Sequence, residues 1–269
     1  MCYSALVRKD LDFLAAKFGA SVVRESFDQY MKAVAVDPKK FPPIERERIF
    51  PGHYAPVIYE KSGKRFIEPM RYNAFPPSFV ADGSKYTTYN ARRDNLRSRF
   101  WSEMVGKNHG VILVGGFFEW VKVSRLLKAG VVSLQQVKDE FARQAESRKK
   151  KIEEAGKAYK ATPSEKKAVE LRDIVIGFKP LSHVDLTVPV IFSAGSDGPL
   201  VGKGFAIVTD DPPQEVILAG HDRCPVVLSR EGVGAWLACP DSSAGEEKVE
   251  EILDMREAEV FSHQLANAV

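Results

Sequence analysis

Four short apolar runs constrain this chain more than any other feature: Val111–Gly115, Ile174–Phe178, Val190–Ser193 and Phe205–Thr209. Each has strand length and is bounded by glycine, proline or charge, the pattern of buried strands. Further strands are expected around Pro56–Tyr59, Arg65–Ile67, Cys224–Leu228 and Glu259–Ser262, and Gly115-Gly116 is expected to end the Val111–Gly115 strand. A doubly wound parallel sheet needs a helical crossover after nearly every strand. Here helices and strands do not alternate regularly, so the expected class is α+β.

Helical patterns occupy other stretches. Lys9–Phe18 and Val22–Ala35 form an early pair, the second with Val22, Phe27, Tyr30, Met31 and Val34 on one face. Asn95–Val105, Gly232–Ala238 and Gly245–Met255 read as helices too. Ser133 with Gln136 makes a capping-box start for a long helix reaching about Tyr159, with Leu134, Val137, Phe141, Ala145 and Ile152 roughly on one face. Prolines 42, 43, 51 and 56 make Lys39–Pro56 irregular, and Pro76, Pro77 and Gly83 mark Asn73–Gly83 as a loop. No internal repeat is present. Arg143–Lys167 holds nine Lys/Arg against four Asp/Glu, densest at Arg148-Lys149-Lys150-Lys151. Such a run is either a solvated helix face, the ordinary outcome, or a surface that tracks phosphates.

Bulk properties exclude several classes of function. No apolar run approaches the roughly 20 residues of a membrane span. Arg8, Lys9, Asp10 and Asp12 interrupt the first twenty residues, so they do not read as a secretion signal. A cytoplasmic protein is expected. Cys2, Cys224 and Cys239 are widely spaced and odd in number, which suits neither a disulfide framework nor a zinc site. A formal net charge of +3 permits an anionic partner without requiring one.

Cys2 stands out by position. Trimming of Met1 before this small residue would leave a free α-amine and a thiol on adjacent carbons. Their unperturbed pKa values, roughly 7.7–8.0 and about 8.5, put both near useful nucleophilicity at neutral pH. An aldehyde captured by the amine gives a Schiff base, and the thiol can close on the same carbon to form a thiazolidine.

Three later stretches carry groups such chemistry would use. Asn90 and Arg92 lie in Tyr89-Asn90-Ala91-Arg92. Glu119 lies among aromatics in Gly116-Phe117-Phe118-Glu119-Trp120, where desolvation would raise its pKa and suit it to acid–base work. His221 precedes an apolar stretch in His221-Asp222-Arg223-Cys224-Pro225, and histidine moves protons near neutrality. Taken singly, each has a bland reading: a turn amide, an exposed acid, a satisfied core histidine.

Taken together and in order with Met1-Cys2, these stretches resemble the SRAP (SOS response-associated peptidase) family, whose members include proteins that shield abasic sites. Phe205-Ala206-Ile207-Val208-Thr209 looks like the family's strand before the histidine loop, and Ala55-Pro56 is similar to its early Ala-Pro turn. The resemblance spans about Cys2–Trp236. It implies a mixed, mainly antiparallel β-barrel-like core with flanking helices, in a single domain over 1–269 with an inserted basic helix at about 125–172. It also implies a thiazolidine crosslink between Cys2 and the ring-opened sugar of an abasic site in single-stranded DNA, which would shield the lesion. Asn90 would position the cysteine or sugar, Glu119 would assist proton transfers, and His221 would act on the sugar hydroxyl and in reversal. Arg92 and Arg223 would hold phosphates, and Trp120 would pack under the site or stack on a base. Abasic-site lyase and self-processing activities accompany this expectation. A monomer that needs no cofactor and no metal, nucleoid-associated if bacterial, completes it.

The chain departs from the family pattern at Tyr3-Ser4, where Gly-Arg is usual, and at His53, where an asparagine is usual. The aromatic wedge expected around Asn73–Phe79 is reduced to Phe75 and Phe79. Two other functions remain open: amide hydrolysis by Cys2 as an N-terminal nucleophile, and noncatalytic DNA binding through Arg143–Lys167. Cys224 and Cys239 read as small buried hydrophobes, His109, His183 and His263 as structural or exposed, and Gly202-Lys203-Gly204 as a turn.

Overall fold

The computed structural model describes residues 3–43, 47–76, 88–194, 203–239 and 243–266. Cys2 and Phe79 lie outside the described residues. The strands are β1 (Ser4–Val7), β2 (Ala20–Val22), β3 (Arg48–Ile49), β4 (Tyr54–Lys61), β5 (Lys64–Tyr72), β6 (Asn90–Arg92), β7 (His109–Lys122), β8 (Asp173–Pro180), β9 (Leu186–Ala194), β10 (Lys203–Asp210), β11 (Cys224–Pro225) and β12 (Phe261–Ala266). The helices are α1 (Leu11–Phe18), α2 (Arg24–Val36), α3 (Val123–Lys128), α4 (Leu134–Glu154), α5 (Gln214–Leu218), α6 (Arg230–Leu237) and α7 (Ser243–Asp254).

The strands join into one mixed sheet. Most ladders are antiparallel, but β10 runs parallel to β5 and β6, and β2 runs parallel to β5. Ladders link β7 to β4, β4 to β5, β5 to β10, β10 to β9 and β9 back to β7. The β4–β7 and β5–β10 joins comprise two residue pairs each, so the sheet curls without closing evenly into a barrel. Successive residues serve opposite faces. Ile112, Val114, Phe205 and Ile207 pack into one core with residues of α3, α4 and α5. Val111, Leu113, Ala206 and Val208 pack into a second core with α1, α6 and α7. A sheet buried on both faces needs continuous apolar runs, which is why these segments read as strands without polar alternation. In the second core, His109 stacks on Trp236 and its imidazole pKa is pushed down to about 4 by burial.

The glycine pair does not end the strand, as was expected, but bends it. Leu6 pairs with Gly116 and Val7 with Val114, leaving Gly115 as the extra residue of a bulge. Gly116 has φ +154°, and a Cβ there would sit 2.5 Å from the Phe178 carbonyl oxygen. The bulge reverses the alternation of the strand. Before it, even-numbered residues face the first core; after it, Phe117 and Val121 do. Glu119 lies between these two and is therefore carried inward, while Trp120 is turned outward.

Other expectations are corrected by local physics. Asn95–Val105 is not a helix: a 3-10 turn at Arg93–Asn95 is followed by separate turns whose bonds alternate between i→i+3 and i→i+4. Pro56 lies inside β4, opposite Pro69 of β5, rather than in a turn. Neither proline needs an N–H there, because Pro56 lies beyond the β7 ladder and Pro69 falls between the β2 and β10 ladders. Only Cys224-Pro225 of Cys224–Leu228 is strand. Lys203 and Gly204 start β10 rather than forming a turn, and a Cβ at Gly204 would lie 2.1 Å from the Asn73 carbonyl oxygen.

Residues 123–172 leave at Lys122 and return at Asp173, which pair directly, so this stretch is an excursion from the end of one antiparallel ladder. The Ser133–Gln136 capping box forms as expected. The helix stops at Glu154 instead of about Tyr159, where Gly156 turns to φ +70°. Val137 and Phe141 anchor α4 in the first core, with the Arg172 guanidinium 3.4 Å over the Phe141 ring. In the dense basic run, Arg148 meets Glu165 at 3.1 Å, Lys149 meets Glu153 at 3.9 Å and Lys150 meets Glu154 at 4.0 Å. This is the pattern of a solvated helix face laced with ion pairs.

Gly116→Ala should destabilise the protein by about 1–3 kcal/mol from backbone strain alone, with the clash against Phe178 adding to it. Urea unfolding measures this, and a change under about 0.5 kcal/mol would contradict the role given to the bulge.

Candidate active site

Glu119 is 1% exposed, and its Oε2 lies 3.1 Å from His221 Nε2. Burial pushes the Glu119 carboxyl above its ordinary value, and the hydrogen bond and charge of His221 only partly oppose this. The histidine arrives on the loop between α5 and β11. Gly220, at φ +85°, turns the chain, and the His221 N–H donates to the Val216 carbonyl at 3.1 Å. His221 Nδ1 lies 3.0 Å from the Arg223 carbonyl and 3.3 Å from the Arg223 N–H. Both contacts hold the Nδ1 edge of the ring against the Arg223 backbone, whose N–H donates to it. His221 Nε2 faces the Glu119 carboxyl, whose protonated form burial favours, and the two are placed to pass one proton between them.

Asn90 and Arg92 share one face of β6, while Ala91 between them is buried in the second core. Tyr72 donates its hydroxyl to Asn90 Oδ1 at 3.2 Å. The Arg92 guanidinium is partly exposed and meets Asp94 at 2.6 Å. β6 and β11 lie along opposite edges of β10, and Thr209 is opposite both Arg92 and Pro225. Two ladder spacings, about 10 Å, therefore separate the asparagine strand from the strand that follows the histidine loop. Arg223 is mostly buried, 3.9 Å from Asp222, and its Nε has no hydrogen-bond partner among the described residues.

Trp120 is 42% exposed on the outer face, and the Tyr3 ring meets it edge-on at 5.5 Å. The Tyr3 N–H donates to the Phe118 carbonyl at 3.0 Å. The residue that follows Cys2 in sequence is thus tied to the residue that precedes Glu119. Cys224 is buried, its thiol pKa pushed up by burial and then by the charge of Glu119, so it behaves as a small hydrophobe. Cys239 is half-buried and also raised by burial. Among the described residues, no three His, Cys, Asp or Glu side chains gather as a metal shell.

Three residues escaped the sequence reasoning. Tyr72, which holds Asn90, had no marker. Thr209 is fully buried, and its hydroxyl has no hydrogen-bond partner among the described residues; its signal was the single hydroxyl in an otherwise apolar run. Arg48 donates from Nε to Ser4 Oγ at 2.8 Å and stands 3.8 Å over the Phe118 ring, fastening β1 to β7. It sits in a stretch that reads as irregular.

Residues 1–130 match the family model described as SOS response associated peptidase (SRAP). The match includes Cys2, Asn90, Arg92, Glu119 and Trp120 and stops before His221 and Arg223. No curated protein matches the chain. A solved protein of Bordetella bronchiseptica is similar to it at TM-score 0.57 and 13% identity, covering 99% of this chain and 100% of its own. A Bacteroides thetaiotaomicron protein is similar at TM-score 0.60 and 13% identity, covering 99% and 93%. A phage-related protein of Bordetella bronchiseptica is similar at TM-score 0.51 and 18% identity, covering 82% and 81%. At these identities the likeness is one of fold.

The raised Glu119 carboxyl has a signature in stability. Below its ordinary value of 4.5, Glu119 is protonated whether the chain is folded or not. As pH rises from there through the folded value, the unfolded chain releases its proton first and stability is lost, about 1.4 kcal/mol for each unit of elevation. Glu119→Gln cannot ionise. Its melting temperature relative to the unaltered protein should therefore climb as pH rises above 4.5. A difference independent of pH would show that Glu119 is not held protonated by burial.

Proposed function

This chain belongs, through residues 1–130, to the SOS response associated peptidase (SRAP) family, and from that premise we propose that it captures abasic sites in single-stranded DNA as a covalent adduct of Cys2. The observation that carries the proposal is the buried Glu119–His221 pair beside the strand residue that anchors Tyr3. A carbonyl reaction of an amino-terminal cysteine needs a proton donor and acceptor within reach of it. This pair supplies both, one residue along β7 from the anchor of the neighbouring residue.

After removal of Met1, the α-amine adds to the C1′ aldehyde of the ring-opened sugar, giving a carbinolamine. Protonation of its hydroxyl expels one water and leaves the imine. The Cys2 thiol then adds to the imine carbon, and its proton passes to the nitrogen as the ring closes. The net reaction joins aldehyde and cysteine with loss of one water. A proton shared between Glu119 and His221 serves both the sugar-ring opening and the dehydration. Arg92, on β6 opposite Thr209, and Arg223, just before β11, carry guanidinium groups suited to phosphates flanking the sugar. Asn90, held by Tyr72, offers its amide N–H₂ to the sugar or to the cysteine. If the imine instead loses its C2′ proton, the C3′–O bond breaks and the strand is cleaved, which is the lyase outcome.

The family's description as a peptidase gives amide hydrolysis as the second reading, with the α-amine of Cys2 serving as base for its own thiol. One assay separates the two. Incubation with single-stranded DNA bearing one abasic site should give a shifted band on a denaturing gel. Cys2→Ala should remove it, and Cys2→Ser should leave no stable band but an imine that borohydride traps. Glu119→Gln and His221→Ala should slow adduct formation by about 10²-fold or more. An absent band, or one indifferent to Cys2→Ala, overturns the proposal; amide turnover unaffected by abasic DNA favours the peptidase.

A further inference from the structure

A cavity of about 710 Å³ opens beside the catalytic pair, with His221 in its wall. The proton-transfer steps do not use it. One wall is α3, the first helix of the excursion between β7 and β8, which contributes Arg125 and Lys128. The other is α5, whose Ile217 and Leu218 stand half exposed at 50% and 48%. Asp222 also lines it.

The two walls are locked together. Arg125 donates to the Gly220 carbonyl at 3.1 Å, and a Cβ at Gly220 would lie 2.8 Å from Val121 Cγ1 and 3.0 Å from Arg125 Cβ. The inserted helix is thus pressed against the turn that presents His221. Neighbouring apolar residues exposed side by side on a five-residue helix are costly to leave in water, and they line the same cavity as His221.

We infer that this cavity is a subsite for the nucleobase next to the abasic sugar, with Ile217 and Leu218 as its apolar floor, Lys128 and Arg125 toward the adjoining phosphate, and Asp222 toward amino groups on the base edge. The inference rests on the proposed abasic-site reaction. The mixture of charges is what a base-plus-phosphate occupant requires. A pocket for phosphate alone would exclude the carboxylate, whereas an aspartate accepts from the exocyclic amine of cytosine or another amino-bearing base. The excursion at residues 123–172 then has a role in substrate binding through its first helix, distinct from the ion-paired basic run of α4.

The test uses oligonucleotides in which one reactive abasic site is flanked, on one side at a time, by an unreactive tetrahydrofuran spacer that keeps the phosphate and removes the base. At subsaturating DNA, loss of the base on one particular side should slow adduct formation by about fivefold or more, the scale of a single base-stacking contact. Ile217→Asp and Leu218→Asp should slow the fully based substrate to the same degree and erase the difference between flanks. Lys128→Glu should weaken DNA binding uniformly and flatten its salt dependence. Melting temperatures confirm that these surface variants fold. Equal rates with either spacer, or variants that retain the flank preference, overturn the subsite while leaving the crosslinking reaction standing. If no adduct forms with any substrate, the abasic-site reaction itself fails. Fluorescence anisotropy with undamaged single-stranded DNA then still decides whether Ile217→Asp weakens binding, and unchanged binding overturns the subsite.

Discussion

Strand β7 supplies backbone partners to β1, β4, β8 and β9, and the geometry of the molecule follows from how one strand can satisfy four. Its first half pairs with β4 and β9, its second half with β1 and β8. The exchange of partners takes place around Gly115 and Gly116, where the strand bulges. Buried amides and carbonyls must find partners, so a strand that passes from one pair of neighbours to another has to do so with little unpaired backbone. A glycine pair makes the turn compact. Gly116 takes a conformation that strains side-chain-bearing residues, in contact with the Phe178 carbonyl.

The same bulge decides what the strand does. Were Gly115 and Gly116 to continue the pleat without a bulge, the alternation set by Ile112 and Val114 would send Trp120 inward and Glu119 into solvent. With it, the carboxyl enters the first core and the tryptophan joins Tyr3 outside. An acid carried into the core that holds Phe117, Val121 and Cys224 has its charge disfavoured, which raises its pKa. The histidine facing it has its other nitrogen engaged by the Arg223 backbone. The direction of the Glu119 side chain and its desolvation are therefore successive consequences of one bulge.

How much of this was legible in the sequence depended on whether the signal was local. The capping box at Ser133 and the apolar runs that became β7 to β10 were read from neighbouring residues, and the structure contains them. Glu119 and His221 were legible as candidates because their residue types and flanking motifs are local too. Their contact was not, since it depends on the parity flip at Gly115 and on a loop about a hundred residues further on. Pro56 misled because its tolerance depends on which outer ladder happens to be absent, a property of topology. Asn95–Val105 misled for a related reason. Its Leu96, Trp101, Met104 and Val105 are buried, as a helix pattern would suggest, but tertiary burial is achieved there by separate turns. Tyr72 and Arg48 gave no local sign at all, because each acts through a residue distant in sequence, Asn90 and Ser4.

The position of the excursion between β7 and β8 follows from the same constraint. β7 and β8 are already paired out to Lys122 and Asp173, so the ladder closes whatever lies between them. A long excursion at such a point costs little extra closure entropy, since that cost grows only with the logarithm of loop length. It also emerges three residues beyond Glu119, so its first helix cannot avoid the turn that carries His221. Arg125 and Gly220 record that encounter in a hydrogen bond and a close contact. An excursion at this ladder end can alter what surrounds Glu119 and His221 without disturbing the strand that positions the carboxyl, because the pairing that fixes Glu119 is complete before the excursion begins.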